Sequence, residues 1–362
     1  MKKIIFYIDT MYRGGAQRVM CNLASYFTNR GWKVVLCNDF LQDDTIPQYE
    51  VCPTVKRLYL AKDITGNIIL KNVLRIVKLR KMIKIEKPDC ILSFLGRPNQ
   101  RMLLATVGLK TKKIVSVRND PYREYGKGVR RIIARTLFRL ANGCVFQTED
   151  AKRYFPFCVQ QKAVVILNPV DKRFFQTLAS DERQNIVTVG RLEKQKNQAL
   201  LIDAFSDVAN LIPEQKLILY GDGPLFSMLQ KLAKDKGVAE QVVFAGNVEN
   251  IERYLARAKV FVLSSDYEGM PNALMEAMAS GVPCIATDCP CGGSQMLLQN
   301  GEAGYLVPCN NKEALVKALR ALLFNTELQS LFSKKAHDAA QCFIAEKIYT
   351  EWEQYIQQVM EC

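Results

Sequence analysis

The sequence predicts a parallel α/β protein made of two doubly wound domains in tandem. Three observations carry this reading. Short apolar runs alternate with stretches of helical periodicity along the whole chain, which is the pattern of repeated βαβ units. The alternation breaks once, at the polar stretch Leu178–Asn185, and then restarts. The length of 362 residues, with 49% hydrophobic and 24% charged residues, suits two domains that each bury a core, and it excludes disordered, collagen-like and coiled-coil chains.

In the first half, strands are expected at Ile4–Ile8, Val34–Cys37, Cys90–Phe94, Lys113–Val117, Gly143–Gln147 and Val164–Leu167, with helices between them. Met1-Lys2-Lys3 before an apolar run resembles the start of a secretory leader. Asp9 and Arg13 interrupt the run too early, so it reads as a first strand. Asn168-Pro169-Val170-Asp171 forms a turn. In the second half, strands are expected at Ile186–Val189, Lys216–Tyr220, Val242–Ala245, Val260–Leu263 and Pro283–Ala286. A last helix, about Glu346–Cys362, places Ile348, Trp352, Tyr355, Ile356 and Val359 on one face, which must pack on something. The expected domains are 1–170 and 171–345, followed by this helix at 346–362. No run approaches the ~18 apolar residues of a membrane span. Open parallel sheets bind ligands at the carboxyl ends of their strands, so two such domains facing each other form a cleft.

The formal net charge is +14, unevenly spread. Lys56–Arg153 holds 24 Lys and Arg against 7 Asp and Glu, whereas residues 154–362 hold 20 against 24. Within 70–87, Val73, Leu74 and Val77 share a helical pattern with Lys71, Arg75, Lys78, Arg80, Lys81 and Lys84. Within 128–140, Arg131, Arg135 and Arg139 recur every four residues and share one helix face. Basic amphipathic faces suit an anionic membrane surface. Two solvated faces are the plainer alternative. Nucleic acid is disfavoured, because no zinc-finger or RNP-like motif and no interleaved aromatics accompany the basic runs. Twelve cysteines without a secretory segment point to free thiols in a reducing cytoplasm. Cys284, Cys289 and Cys291 cluster, but no second pair or histidine completes a zinc set.

Three segments follow predicted strands and carry chemistry. The first is Arg13-Gly14-Gly15-Ala16-Gln17-Arg18, ahead of a helix. Paired glycines let backbone N–H groups approach a phosphate at a helix N-terminus. The segment is neither G-x-G-x-x-G nor a Walker A, and an ordinary strand–helix turn also explains it. The second runs from Gly190-Arg191-Leu192 to Lys196-Asn197, where two cations at a strand edge can hold a diphosphate or remain exposed loop charges. The third is Ser264-Ser265-Asp266-Tyr267-Glu268-Gly269-Met270-Pro271-Asn272-Ala273-Leu274-Met275-Glu276. Pro271 suits a first helical position and Gly281 a position just past a helix end. Glu268 then lies in the loop and Glu276 inside an apolar helix, where carboxylates accept bonds from sugar hydroxyls. A buried ion pair or cap is the competing account of Glu276.

Glu268 and Glu276 form the E-x7-E spacing of retaining glycosyltransferases, and the surrounding Tyr267-Glu268-Gly269-Met270-Pro271-Asn272 and Glu276-Ala277-Met278-Ala279-Ser280-Gly281 resemble glycosyltransferase family 4. The Gly14-Gly15 loop, Asn168–Asp171, the Gly190–Asn197 segment and Tyr220-Gly221-Asp222-Gly223-Pro224 occur in that family's order. The resemblance covers essentially the whole chain, most specifically 186–310. It implies the GT-B fold, with two Rossmann-like domains facing across a cleft and the C-terminal helix crossing back to the first. It implies transfer of a sugar, N-acetylhexosamine or hexose, from a nucleoside diphosphate donor, UDP-sugar foremost, with retention. Arg191 and Lys196 then neutralise the leaving diphosphate, Glu276 binds the ribose, and Glu268 with the N–H groups of Gly269, Met270, Pro271-flanked Asn272 holds the transferred sugar. Gly190 belongs to the same donor loop, Gly14 and Gly15 approach the phosphates, and Asn247 lies by the base. No D-x-D pair is present and no metal or cofactor is expected.

The sequence departs from the family in places. Many relatives carry a first-domain histidine near the donor sugar. The one histidine here, His337, is expected on a helix surface. The matching stretch is Ser116-Val117-Arg118-Asn119-Asp120-Pro121. There Asp120 is the candidate base and Arg118 the phosphate or acceptor contact, with Asn119 beside them, and ordinary loop roles stay open. Gln295 stands where an acidic residue often follows Gly292-Gly293. Arg118-Asn119, together with Ser93-Phe94 and Asn99, resembles bacterial surface-polysaccharide enzymes that extend undecaprenyl-linked sugars. That implies a lipid-linked acceptor and a cytoplasmic protein peripheral to the inner face of the membrane. A nucleotide-sugar epimerase and a noncatalytic nucleotide-sugar or nucleic-acid binder of the same fold are the competing functions.

Overall fold

The computed structural model describes residues 1–12, 14–40, 48–61, 67–177 and 183–361. Arg13, residues 178–182 of the expected linker and Cys362 lie outside the described residues. The chain divides into two units, Met1–Asn168 with the stretch from Glu346 onward, and Pro169–Ala345.

The first unit is built on strands β1 (Lys3–Tyr7), β2 (Lys33–Phe40), β3 (Lys56–Ala61), β4 (Cys90–Phe94), β5 (Lys112–Ser116), β6 (Gly143–Phe146) and β7 (Ala163–Val165). They form one parallel sheet in the order β3-β2-β1-β4-β5-β6-β7. The order reverses between β1 and β4, and a crevice opens at such a switch point. The helices relevant below are α1 (Gly15–Asn29), α2 (Ile68–Glu86), α3 (Gly96–Ala105), α4 (Pro121–Glu124) and α5 (Gly128–Leu137). Covered on both faces, β4 is buried at every position, which is why it reads as an unbroken apolar run. The C-terminal helix Ala345–Glu361 places Ile348, Trp352, Ile356 and Val359 in the same core as Ile4, Phe6 and Leu92. Trp352 is fully buried with its ring 5.7 Å from that of Phe94. The Tyr355 hydroxyl accepts from Cys144 N at 2.8 Å and donates to Lys162 O at 2.5 Å.

The second unit holds β8 (Gln184–Val189), β9 (Leu217–Tyr220), β10 (Val242–Gly246), β11 (Ala258–Leu263), β12 (Cys284–Asp288) and β13 (Tyr305–Pro308). These also form a parallel sheet, β10-β9-β8-β11-β12-β13, whose switch point lies between β8 and β11. Its core gathers Ile186, Leu201, Phe205, Leu219, Val260, Ile285, Leu319 and Leu322. The strands not foreseen, β3 and β13, both lie at sheet edges, where partly exposed residues replace a buried apolar run.

The structure corrects three expectations about side-chain placement. His337 is half-buried rather than on the surface, with Nδ1 2.8 Å from Ala279 O and its ring against Phe175. On α5, Arg131 and Arg135 do not form an outward basic face. Arg131 is half-buried over the rings of Tyr122 and Tyr154, Arg135 is half-buried, and Arg139 falls in a 3₁₀ turn. The Arg131 stem covers aromatic surface, a common use of arginine, and the exposed residues here include Val129, Arg130, Ile132 and Ile133, with Arg139 exposed in the turn beyond. On α2, Arg80 donates to Ala105 O and Val107 O at the end of α3, and Arg75 lies 3.7 Å from Asp39. Lys78, Lys81 and Lys84 stay exposed there beside Ile69, Val73 and Val77. Among the described residues no helix is long and apolar enough to cross a membrane, and the cysteines are free thiols.

Candidate active site

In the second unit, the chain leaving β8 runs from Gly190 through a 3₁₀ turn at Lys194–Lys196, and the chain leaving β11 runs from Ser264 into the helix Asn272–Ala279. Because β8 and β11 are neighbours at the switch point, these loops meet. They are laced together by Ser264 Oγ to Lys196 O (3.0 Å), Asp266 N to Gln195 O (2.9 Å), Gln195 Nε2 to Tyr267 O (2.9 Å) and Asn197 Nδ2 to Asp266 Oδ1 (2.8 Å). At the centre, Lys196 Nζ lies 2.5 Å from Glu268 Oε1, which also accepts from Ser265 Oγ at 2.7 Å. The Glu268 side chain is 8% exposed and that of Lys196 20%. A hydrogen-bonded, mostly desolvated ion pair therefore sits at the carboxyl edge of the sheet.

The helix Asn272–Ala279 begins after Pro271, which supplies no side-chain cap, and its dipole favours an anion at that end. Glu276, one turn in, is buried, as are Gly269 and Met270. Gly281 follows the helix end at φ +67°, as its sequence position predicts. The loop at Gly293 touches the Gly269 carbonyl so closely that any Cβ at 293 would collide with it.

Two predicted donor residues stand apart from this cluster. Arg191 is exposed and pairs with Glu193 Oε1 at 2.9 Å. Asn247 is exposed past β10, where Gly221 N donates to Gly246 O at 2.7 Å. Gln195 and Ser265, which orient Glu268, lay inside the quoted motifs, but nothing in the sequence assigned them that role.

In the first unit, Gly14 is the N-cap of α1 in extended conformation, again without a side-chain cap, and Gly15 opens the helix. Asp120 caps α4 through Tyr122 N at 2.9 Å, and burial raises its carboxyl above the usual range. Asn119 Oδ1 accepts from Asp120 N at 2.9 Å. Arg118 is buried, stacked over Phe94 at 4.7 Å, and donates to Asn168 Oδ1, which also accepts from Gln147 Nε2 at 2.8 Å. Burial lowers its guanidinium to about 9, which leaves it charged at neutral pH. Asn99 lies on α3. It is fully buried, accepts from Ser93 Oγ and donates to Ser116 O and Tyr125 OH, so its amide braces the ends of β4 and β5. Glu124, Gln147 and Asn168 complete this edge. Gln147 ended an expected strand and Asn168 began an expected turn, and Glu124 lay in no segment the sequence singled out.

Residues 13–174 match the family model described as Glycosyltransferase Family 4, and residues 170–339 match Glycosyl transferases group 1. A Campylobacter jejuni GalNAc-alpha-(1->4)-GalNAc-alpha-(1->3)-diNAcBac-PP-undecaprenol alpha-1,4-N-acetyl-D-galactosaminyltransferase is 28% identical over 366 residues, covering 99% of each chain. A second enzyme of that organism, N-acetylgalactosamine-N,N'-diacetylbacillosaminyl-diphospho-undecaprenol 4-alpha-N-acetylgalactosaminyltransferase, is 27% identical, over 98% of this chain and all of that one. Among solved structures, sucrose-phosphate synthase from Thermosynechococcus elongatus superposes with a TM-score of 0.84 at 17% identity, covering 100% of both chains. Anabaena HepE in complex with UDP superposes at 0.82 and 16% identity, covering 99% of this chain and 100% of that one. The two family models meet at the boundary between the two units, so the chain carries a Glycosyltransferase Family 4 domain followed by a Glycosyl transferases group 1 domain, and it has the GT-B fold.

Proposed function

We propose that the protein is a retaining glycosyltransferase that moves an N-acetylhexosamine or hexose from a UDP-sugar to a lipid-linked or growing surface glycan. The observation that carries this reading is the Lys196–Glu268 pair at the second unit's switch point, beside the N-terminus of the helix Asn272–Ala279 and the buried Glu276. As the bond from the anomeric carbon to the phosphate oxygen breaks, negative charge develops on the diphosphate. Lys196, the helix N–H groups and Arg191 swung from Glu193 meet that charge, a role cations and dipoles fill without a metal. Glu268 accepts from the sugar hydroxyls and Glu276 from the ribose. The acceptor hydroxyl bonds to the anomeric carbon on the face the phosphate leaves, and its proton passes to the departing phosphate oxygen. The Campylobacter relatives, whose names specify undecaprenol-linked acceptors, support the acceptor class, and the UDP complex of HepE supports the base.

The acceptor's lipid places the enzyme at the inner face of the membrane. Exposed Ile69, Val73 and Val77 on α2 and Val129, Ile132 and Ile133 on α5, with α3 packed against both helices, supply an apolar surface. The exposed lysines of α2 add attraction to anionic lipid. A diphosphate-release assay over UDP-, GDP- and ADP-sugars, with and without bacterial lipid extract, tests the proposal. Release from one donor, raised by the lipid, is expected. Folded protein that neither releases nor binds any of these donors, by calorimetry, refutes it.

A further inference from the structure

The mechanism above leaves unused a buried carboxyl in the first unit, at the crevice between β1 and β4. The chain leaves β4 through Leu95, whose φ of +73° is costly for a branched residue. The next amide, Gly96 N, donates to Glu124 Oε1 at 2.5 Å. A Cβ at 96 would lie 2.7 Å from Glu124 Cγ, so glycine is what lets the carboxyl close over this backbone. Glu124 Oε2 is buried without a hydrogen-bond partner among the described residues. The next residue supplies a second tie, the Tyr125 hydroxyl accepting from Asn99 Nδ2 at 3.2 Å. The first turn of α3 is thus held by the segment that also carries Arg118, Asn119 and Asp120.

We propose that Glu124 is a positioning residue: when ionised it pins the Gly96 amide and the strained Leu95 turn, and so sets the acceptor-side edge of the first unit for transfer. The inference rests on the glycosyltransferase reading. The charged groups that act on Glu124 are Asp9, from the loop after β1, and Asp120, at the start of α4. Arg123 acts on Asp120, and Arg101 and Asp39, paired with each other, act on Asp9. Tyr125 adjoins Glu124 on the same segment. Among the described residues Glu124 forms no ion pair. Burial first, then the charges of Asp9 and Asp120, push its carboxyl up to about 7, against the opposing Gly96 N–H bond. Its proton therefore comes off near neutrality. The ionised form makes a charge-assisted bond to Gly96, and the protonated form makes a neutral, weaker one. Because the folded value is raised, the stability Glu124 contributes is present below its unfolded value near 4.5 and is lost as pH rises through about 7. The form that tightens the turn is the less stable one.

The test uses the full chain with UDP release read against lipid-extract concentration from pH 6 to 8. In the native enzyme kcat/KM for the extract should rise with a midpoint near the Glu124 value. Glu124→Gln should flatten that rise and lower the pH 8 value about tenfold, the difference between a charged and a neutral hydrogen bond, with the donor KM unchanged. Glu124→Asp should restore the rise in part. A second readout needs no turnover. In spectra of protein labelled with ¹⁵N-glycine, the Gly96 amide should shift with the same midpoint and stop titrating in Glu124→Gln. A Gly96 amide that does not titrate, or a Glu124→Gln pH profile that superposes on the native one, overturns the proposal. Failure to transfer any sugar while Gly96 still titrates overturns the enzyme reading instead.

Discussion

Replacing Lys196 by Ala separates what the ion pair does for the fold from what it does for transfer. Glu268 would keep the Ser265 hydroxyl at 2.7 Å and the Gln195 amide at 3.4 Å but lose the cation at 2.5 Å. Breaking a buried pair by removing one partner costs about 3–5 kcal/mol. With a fifth of the Lys196 side chain exposed, the low end, about 3 kcal/mol, is expected. Adding Glu268→Gln removes the stranded charge and should return about 2 kcal/mol of that loss. Transfer should not return with it, because the cation facing the diphosphate is still missing. Losing one preorganised group of this kind costs about 10²–10³ in rate. Both tryptophans, Trp32 and Trp352, lie in the first unit. The second unit's unfolding is therefore the part of the far-UV dichroism transition that tryptophan fluorescence does not follow. Diphosphate release measures the rate. A Lys196→Ala enzyme within about threefold of native turnover would refute the electrostatic role. A double variant no more stable than Lys196→Ala alone would refute the buried-pair argument.

Glu276→Ala should weaken UDP binding about 10–100-fold, the worth of a charged hydrogen bond to the ribose, and equal calorimetric affinities would remove Glu276 from the donor site. Trp352→Ala should cost the first unit about 3–5 kcal/mol. Trp32 fluorescence in a urea titration checks this, and an unchanged midpoint would mean that the C-terminal helix does not anchor that core. Ile132→Asp with Ile133→Asp changes exposed side chains, so it should leave the fold intact while abolishing sedimentation with anionic vesicles. Arg131→Ala should instead lower stability by about 1 kcal/mol through the lost cation–π contacts. Vesicle binding by the aspartate variant equal to native would count against the apolar surface.

The sequence by itself determined the repeated α/β order, the central strands and the loops that carry chemistry. The physical reason is that these signals are local. Strands covered on both faces, such as Cys90–Phe94, read as apolar runs, and loops that follow strands in parallel sheets face the ligand edge. Glu268 and Glu276 were legible because both lie on one short loop–helix segment. The tertiary structure alone decided what is joined across distance. Lys196 meets Glu268 only because β8 and β11 are neighbours at a switch point, 72 residues apart in the chain. Edge strands β3 and β13 depend on a partner strand rather than an apolar run. Helical spacing placed Arg131 and Arg135 on one face of α5, but it could not say that this face turns inward. An arginine stem over two tyrosines and an isoleucine left in solvent carry the same period. For the same reason Asn99 became a brace, His337 a packed ring, and Glu124 a carboxyl held near its point of titration. Burial sets all three, and burial belongs to the assembled fold.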